Sequence, residues 1–297
     1  MFRSATCSNV IALMLCCAVE VLGGNAVAAS PTLVEFEGAS QPFGSLQQRL
    51  ARERGETPKD ILGDRVRGFL AKPDGNGPFP AVVALHGCGG LHEATVQRVS
   101  ERLLSWGYVA LLVDSFTTRG IDHACTPEKS FAEEINIVKR TFDAYGALLF
   151  LARQPLVDPR RVAVMGISQG GMVTLSVVEE RTFELFVNPD NLAFRAAVAL
   201  YPPCSAAGAR PSIPTIILVG ELDDWTPAKD CARTVARSGN AGPPVQLVTY
   251  PGAHHSFDAP NIQPGRMIFG HWQEYNAEAT EDAHRRIRAF LTDHLDK

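Results

Sequence analysis

From residue 65 onward, short apolar runs alternate with stretches in which apolar side chains recur every three or four positions. Residues 65–71 and 81–85 read as strands, 93–105 as a helix and 108–113 as an almost wholly apolar strand. Residues 131–152 predict a long helix, with Ile135, Val138, Phe142, Tyr145, Leu148, Leu149 and Ala152 along its apolar stripe. A buried strand at 161–165 precedes a helix that runs through 171–180. Strands at 196–201, 215–220 and 245–250 follow, and a final helix covers 277–294. Apolar strands separated by helices predict a doubly wound, mostly parallel sheet with helices on both faces. No internal repeat and no Pro/Gly/Ser-rich linker divides the pattern, so one α/β domain is expected over 64–297.

Two stretches fall outside the alternation. Residues 38–64 are polar and lack a period, which places them on the surface, and an N-terminal extension is expected over 29–63. Residues 117–130, with Arg119, Gly120, His123 and Pro127, follow the C-terminal end of a strand. Ligands of open α/β sheets bind at that edge, so this loop is either a pocket wall or plain surface.

The N-terminus reads differently. Arg3 supplies a positive charge, residues 10–18 are apolar, and Ala26-Val27-Ala28 matches the small-x-small pattern of signal peptidase sites. The apolar run is well short of the ~20 residues that span a bilayer, and no lipid-attachment pattern precedes Cys16 or Cys17. A signal peptide over 1–28, cleaved near Ala28, is expected. The mature protein would be secreted or periplasmic, without stable membrane association.

Composition narrows the partners. The 297 residues are 45% apolar and 20% charged, with a net charge of −4. That balance offers no basic face for nucleic acid and leaves a small molecule as the expected partner. Of the seven cysteines, Cys7, Cys16 and Cys17 lie in the leader, so Cys88, Cys125, Cys204 and Cys231 remain. An even count in an oxidising compartment permits two disulfides. Cys204 follows the strand at 196–201 and Cys231 opens a helix after the loop at Asp223, so both should lie at one edge of the sheet. Cys204–Cys231 is the preferred pair, with Cys88–Cys125 the other; four buried thiols are the alternative. No C-x-x-C or His-rich spacing suggests a metal, and no cofactor is expected.

The chemistry concentrates at Gly166-Ile167-Ser168-Gln169-Gly170. A strand, a G-x-S-x-G turn and a helix form a nucleophile elbow, in which small flanking residues let strand and helix approach closely around an exposed serine. A serine hydroxyl needs a neighbouring base, itself oriented by a carboxylate. The strand at 215–219 ends in Gly220-Glu221-Leu222-Asp223-Asp224-Trp225-Thr226-Pro227, and that at 245–250 ends in Pro251-Gly252-Ala253-His254-His255-Ser256-Phe257-Asp258. The order Ser, Asp, His, each past a strand, suits an α/β-hydrolase. Asp223 sits at the tip of its turn, and Ala253 and Phe257 frame His255. These two, rather than Asp224 and His254, are the expected partners of Ser168.

The oxyanion of an acyl-transfer intermediate needs preorganised N–H donors. The backbone N–H of Gln169 should be one, and that of Cys88, in His86-Gly87-Cys88-Gly89-Gly90, the other. His86 reads as a structural hydrogen-bonder rather than a second base. Arg119 could meet a substrate carboxylate, while Tyr201, Trp225, Phe257 and Phe116 could line an apolar pocket.

With these residues in view, the chain resembles the dienelactone hydrolase family of α/β-hydrolases over roughly residues 64–295. Leu85-His86-Gly87, Gly166 through Gly171, Gly220 through Asp223 with Pro227, and Tyr250 through Phe257 carry the resemblance. By that resemblance, Ser168, Asp223 and His255 occupy the triad positions. Two departures matter. The namesake enzymes use cysteine as nucleophile where this chain has Ser168, and they carry a glutamate that helps control it where Gly87 stands here. Serine chemistry on a carboxylic ester or lactone is therefore expected. A peptidase using the same triad and a non-catalytic binding protein on the same fold are the alternatives.

Overall fold

The computed structural model describes Met1 and residues 30–42, 44–57, 59–130, 135–180, 182–206, 211–239 and 242–296. The targeting segment read at residues 1–28 lies, apart from Met1, outside the described residues.

Eight strands form one sheet: β1 (Thr32–Glu37), β2 (Arg65–Ala71), β3 (Phe79–Leu85), β4 (Val109–Asp114), β5 (Val157–Ile167), β6 (Ala196–Leu200), β7 (Thr215–Gly220) and β8 (Val245–Tyr250). Their order is β1-β2-β4-β3-β5-β6-β7-β8. β1 and β2 run antiparallel to their neighbours, and the other six strands are parallel. The connecting helices are α1 (Ser45–Glu53), α2 (Glu93–Ser105), the single turn α3 (Pro127–Ser130), α4 (Ile137–Ala152), α5 (Gln169–Val177), α6 (Ala228–Ser238) and α7 (Ala277–Leu295). A separate hairpin of β9 (Arg266–Ile268) and β10 (His271–Gln273) lies between β8 and α7.

The wholly apolar strands owe their character to burial on both faces. Val82, Ala84, Ala110 and Leu112 point into one core with Ile287, Phe290 and Leu291 of α7. Val83, Leu85, Leu111 and Val113 alternate to the other face, against Phe142, Tyr145 and Leu148 of α4. The helix expected from residue 131 starts at Ile137, because the Asn136 side chain accepts the Lys139 N–H at 3.1 Å and caps it. Ile135 is buried outside the helix against Phe116 and Ala124, and Val138 is exposed; residues 131–134 lie outside the described residues. Thr32–Glu37, assigned no element above, forms one edge of the sheet and β8 the other.

Two disulfides pair Cys88 with Cys125 and Cys204 with Cys231. Among the described residues, no helix is long and apolar enough to cross a membrane, and no group of three or more His, Cys, Asp or Glu could hold a metal ion.

Candidate active site

The elbow is a consequence of its glycines. A Cβ on Gly166 would lie 2.1 Å from the Gly170 carbonyl oxygen, and one on Gly170 would lie 2.2 Å from that of Leu85. Only residues without a side chain let β5 turn this sharply into α5 against β3. Ser168 bears the strain, with φ 51° and ψ −119°, a conformation that L-residues rarely adopt. Its N–H donates to the Leu200 carbonyl at 2.9 Å, which leaves the hydroxyl at the C-terminal edge of the sheet.

Gly220 of β7 is in register with Tyr250 of β8, so the loops that follow emerge side by side. There His255 Nε2 lies 3.0 Å from Ser168 Oγ, and His255 Nδ1 lies 2.8 Å from Asp223 Oδ2. Asp223 and His255 are almost wholly buried, with side chains 0% and 1% exposed. Asp224, by contrast, is exposed and faces His271 at 3.3 Å, and His254 packs edge-on near Trp272.

Asp223 is held by its own turn. Its Oδ1 accepts the N–H groups of Trp225 at 3.0 Å and Thr226 at 2.7 Å, as short polar side chains do in turns. Its Oδ2 accepts the Thr226 hydroxyl at 2.7 Å. Thr226 Oγ1 also lies 3.1 Å from His255 Nδ1 and 3.0 Å from the Tyr201 carbonyl. This threonine, absent from the sequence-derived candidates, braces the Asp223–His255 pair. A Thr three residues past the acid, just before Pro227, was the available signal.

The opposite wall is the loop after β3. A Cβ on Gly87 would meet the Ser168 Cβ at 3.4 Å, so this loop sits directly against the serine. His86 is occupied structurally: Nε2 accepts the Ser115 N–H at 3.3 Å and Nδ1 bonds the Gly87 carbonyl at 2.7 Å. Burial, then the charge of Arg140, pushes its pKa down to about 3. Arg140, 1% exposed, donates to the His86 carbonyl at 2.6 Å and to Gln169 Oε1 at 2.8 Å. It also sits 5.2 Å from the centroid of the Phe116 ring. Burial lowers its pKa to about 10, so it stays cationic at neutral pH. One buried guanidinium thus ties the segments that carry Cys88 and Gln169. Nothing in the local pattern around Arg140 marked it as part of the site.

Two cavities meet at Ser168. One, of about 230 Å³, is bounded by the loop after β3, Tyr201, Trp225, His255, Ile262 and Phe269. The other, of about 290 Å³, lies among Cys88, Cys125, Gln169, Met172, Pro203 and Trp225. Tyr201 lines the first of these and Trp225 lines both. Phe257 and Phe116 are core residues and do not line either. Arg119 does not either: its guanidinium is taken by Asp143, Asp64 and the Ser115 carbonyl, with only 9% of the side chain exposed. The loop that carries it contributes Ala124, Cys125 and Pro127 to the cleft instead.

Comparison with known proteins agrees with this architecture. The chain is 28% identical over 240 residues to cutinase 1 of Thermobifida cellulosilytica, covering 80% of each protein. It is 26% identical over 272 residues to a Yersinia pestis protein provisionally named carboxymethylenebutenolidase, covering 81% of this chain and 88% of that one. Among solved structures, a dienelactone hydrolase-like promiscuous phosphotriesterase from metagenomic libraries superposes with a TM-score of 0.60 at 19% identity, covering 90% of this chain and 99% of that one. The family model of the dienelactone hydrolase family matches residues 66–295. The chain belongs to the dienelactone hydrolase family and is a hydrolase with serine at the nucleophile position.

Proposed function

We propose that this protein is an exported serine hydrolase that cleaves a carboxylic ester or lactone through an acyl-enzyme on Ser168. The observation that carries this reading is the continuous line from Ser168 Oγ through His255 to buried Asp223, at 3.0 and 2.8 Å. With Nδ1–H directed at Asp223, the Nε2 lone pair faces the serine and takes its proton as Oγ attacks the carbonyl. The N–H groups of Gln169 and Cys88 meet the developing oxyanion. His255 then returns the proton to the leaving alcohol, and the same sequence with water frees the acid. Asp223 fixes the tautomer and stabilises the imidazolium.

The strained Ser168 backbone favours this reading over a binding protein that has kept the fold without the chemistry, since such strain persists where function requires it. Export is supported by the two disulfides, which persist in oxidising compartments, together with the leader-like residues 1–28.

The test is reaction of the mature protein with a fluorophosphonate, mapping of the adduct by mass spectrometry, and turnover of p-nitrophenyl esters. Labelling at Ser168 is expected, and Ser168→Ala should lower kcat by at least ~10³-fold without changing Tm. Undiminished hydrolysis by folded Ser168→Ala would remove the assignment.

A further inference from the structure

The two cavities that meet at Ser168 differ chemically, and the place of His255 decides which half of an ester each receives. A leaving alkoxide must collect its proton from His255 Nε2. The alcohol therefore lies in the cavity that His255 lines, which also presents Arg98, His92, Asn261 and Gln273. The acyl chain, on the other side of the carbonyl carbon, extends into the cavity that His255 does not line. Among the described residues that cavity is walled by Ala124, Pro127, Met172, Pro203 and Trp225, and no charged side chain reaches it.

The cavity is open to solvent on one side, so its size sets how much of an acyl chain its walls can cover. A 150 Å³ apolar cavity is enough to bind benzene, so about 290 Å³ accommodates one ring or a short branched chain. Widening is resisted on two sides. Cys125, in one wall, is bonded to Cys88, and Cys204, between wall residues Pro203 and Ser205, is bonded to Cys231. The adjustable element is Met172, partly exposed one turn into α5, whose N–H donates to the Ser168 carbonyl at 3.1 Å. Its flexible thioether fills whatever space the acyl group leaves.

Resting on the reading of Ser168 as nucleophile, we infer that this second cavity is the acyl site. It selects compact, uncharged apolar acyl groups, on the scale of a four- to six-carbon chain or one aromatic ring, with Met172 as its specificity-determining residue.

The experiment holds the alcohol constant and varies the acid. p-Nitrophenyl acetate, butyrate, hexanoate, decanoate, benzoate and hemisuccinate are compared by kcat/KM in the wild type, Met172→Phe and Met172→Ala. In the wild type, butyrate, hexanoate or benzoate should exceed decanoate and hemisuccinate by about tenfold or more. Met172→Phe should lower the hexanoate-to-acetate ratio about tenfold, and Met172→Ala should shift the optimum toward longer chains. These ratios are internal to each variant and independent of how much of it folds. Ratios unmoved by both substitutions, or a wild-type preference for long or anionic acids, overturn the inference while Ser168 labelling leaves the proposed function standing. Absence of both labelling and turnover in the folded wild type overturns both.

Discussion

The two sides of the cleft are built by different means. On the acid–base side, Asp223 is satisfied almost entirely by its own turn, through the Trp225 and Thr226 N–H groups and the Thr226 hydroxyl. On the side of the proposed oxyanion donors, the loop after β3 and the start of α5 are joined by Arg140, which lies 54 and 29 residues away from its two partners. The Cys88–Cys125 bridge, 37 residues apart, adds a second long-range tie. A turn that satisfies its own polar groups needs little from the rest of the chain. A buried cation is stable only where the assembled fold supplies acceptors and compensating charge, here the His86 carbonyl, Gln169 Oε1 and nearby Asp143. The oxyanion side should accordingly be the more fragile of the two under distant substitutions.

The sharpest way to break this comparison is Arg140→Met. Loss of both ties should lower kcat by about 10²-fold, the scale of a lost oxyanion donor, with KM changed no more than a few-fold. Affinity for a trifluoromethyl ketone, whose adduct on Ser168 mimics the tetrahedral intermediate, should weaken by a similar factor. Arg140→Lys, which keeps the charge but loses the two separate guanidinium nitrogens that hold the two acceptors, should lie between. An Arg140→Met protein with normal kcat and raised KM would show that the guanidinium has no part in oxyanion geometry.

Thr226→Val probes the other side and should cost less, about tenfold in kcat. Asp223 Oδ2 keeps His255 and Oδ1 keeps two backbone donors, so only one hydrogen bond is lost from the carboxylate. Thr226→Ser should restore the activity. Failure of serine to do so would mean that packing, not the hydroxyl, matters at this position.

A further prediction concerns stability and pH rather than rate. His86 is neutral in the fold, with a pKa of about 3 against an ordinary 6.5. Above pH 6.5 neither folded nor unfolded chain protonates it. Below 6.5 the unfolded chain takes up a proton that the folded chain refuses, so stability falls as pH drops toward 3, by at most ~1.4 kcal/mol per pH unit from this group. Thermal unfolding of the wild type and His86→Gln between pH 7 and 4 should give the variant the shallower decline in Tm. Parallel declines would place the acid sensitivity elsewhere.

How legible the molecule is in its sequence follows the same division between local and assembled features. β3, β4, β6 and β7 were readable because burial on both faces makes them continuous apolar runs. The elbow was readable because its glycines answer a backbone clash between Gly166 and Gly170, only four residues apart. Asp223 and His255 could be separated from Asp224 and His254 because position within a turn decides which way each side chain points. The edge strand β1 escaped: Val34 and Phe36 alternate with exposed positions, too short a signal to stand out. The β9–β10 hairpin escaped too, being mostly exposed and held outside the main sheet.

Side-chain destinations were the least legible. Arg119 and Phe257 lie near the site in sequence yet turn away, one to Asp143 and Asp64, the other into the core. Arg140 lies far from it in sequence and reaches it from α4. The chain's own pattern of apolar runs, glycines and strand-end polar residues determined the fold, the elbow at Ser168 and the order in which Asp223 and His255 follow it, because each is dictated by neighbours within a few residues. The brace behind the oxyanion loop, the role of Thr226 and the two unequal cavities were decided only by tertiary structure, since each depends on which distant groups end up sharing one buried space.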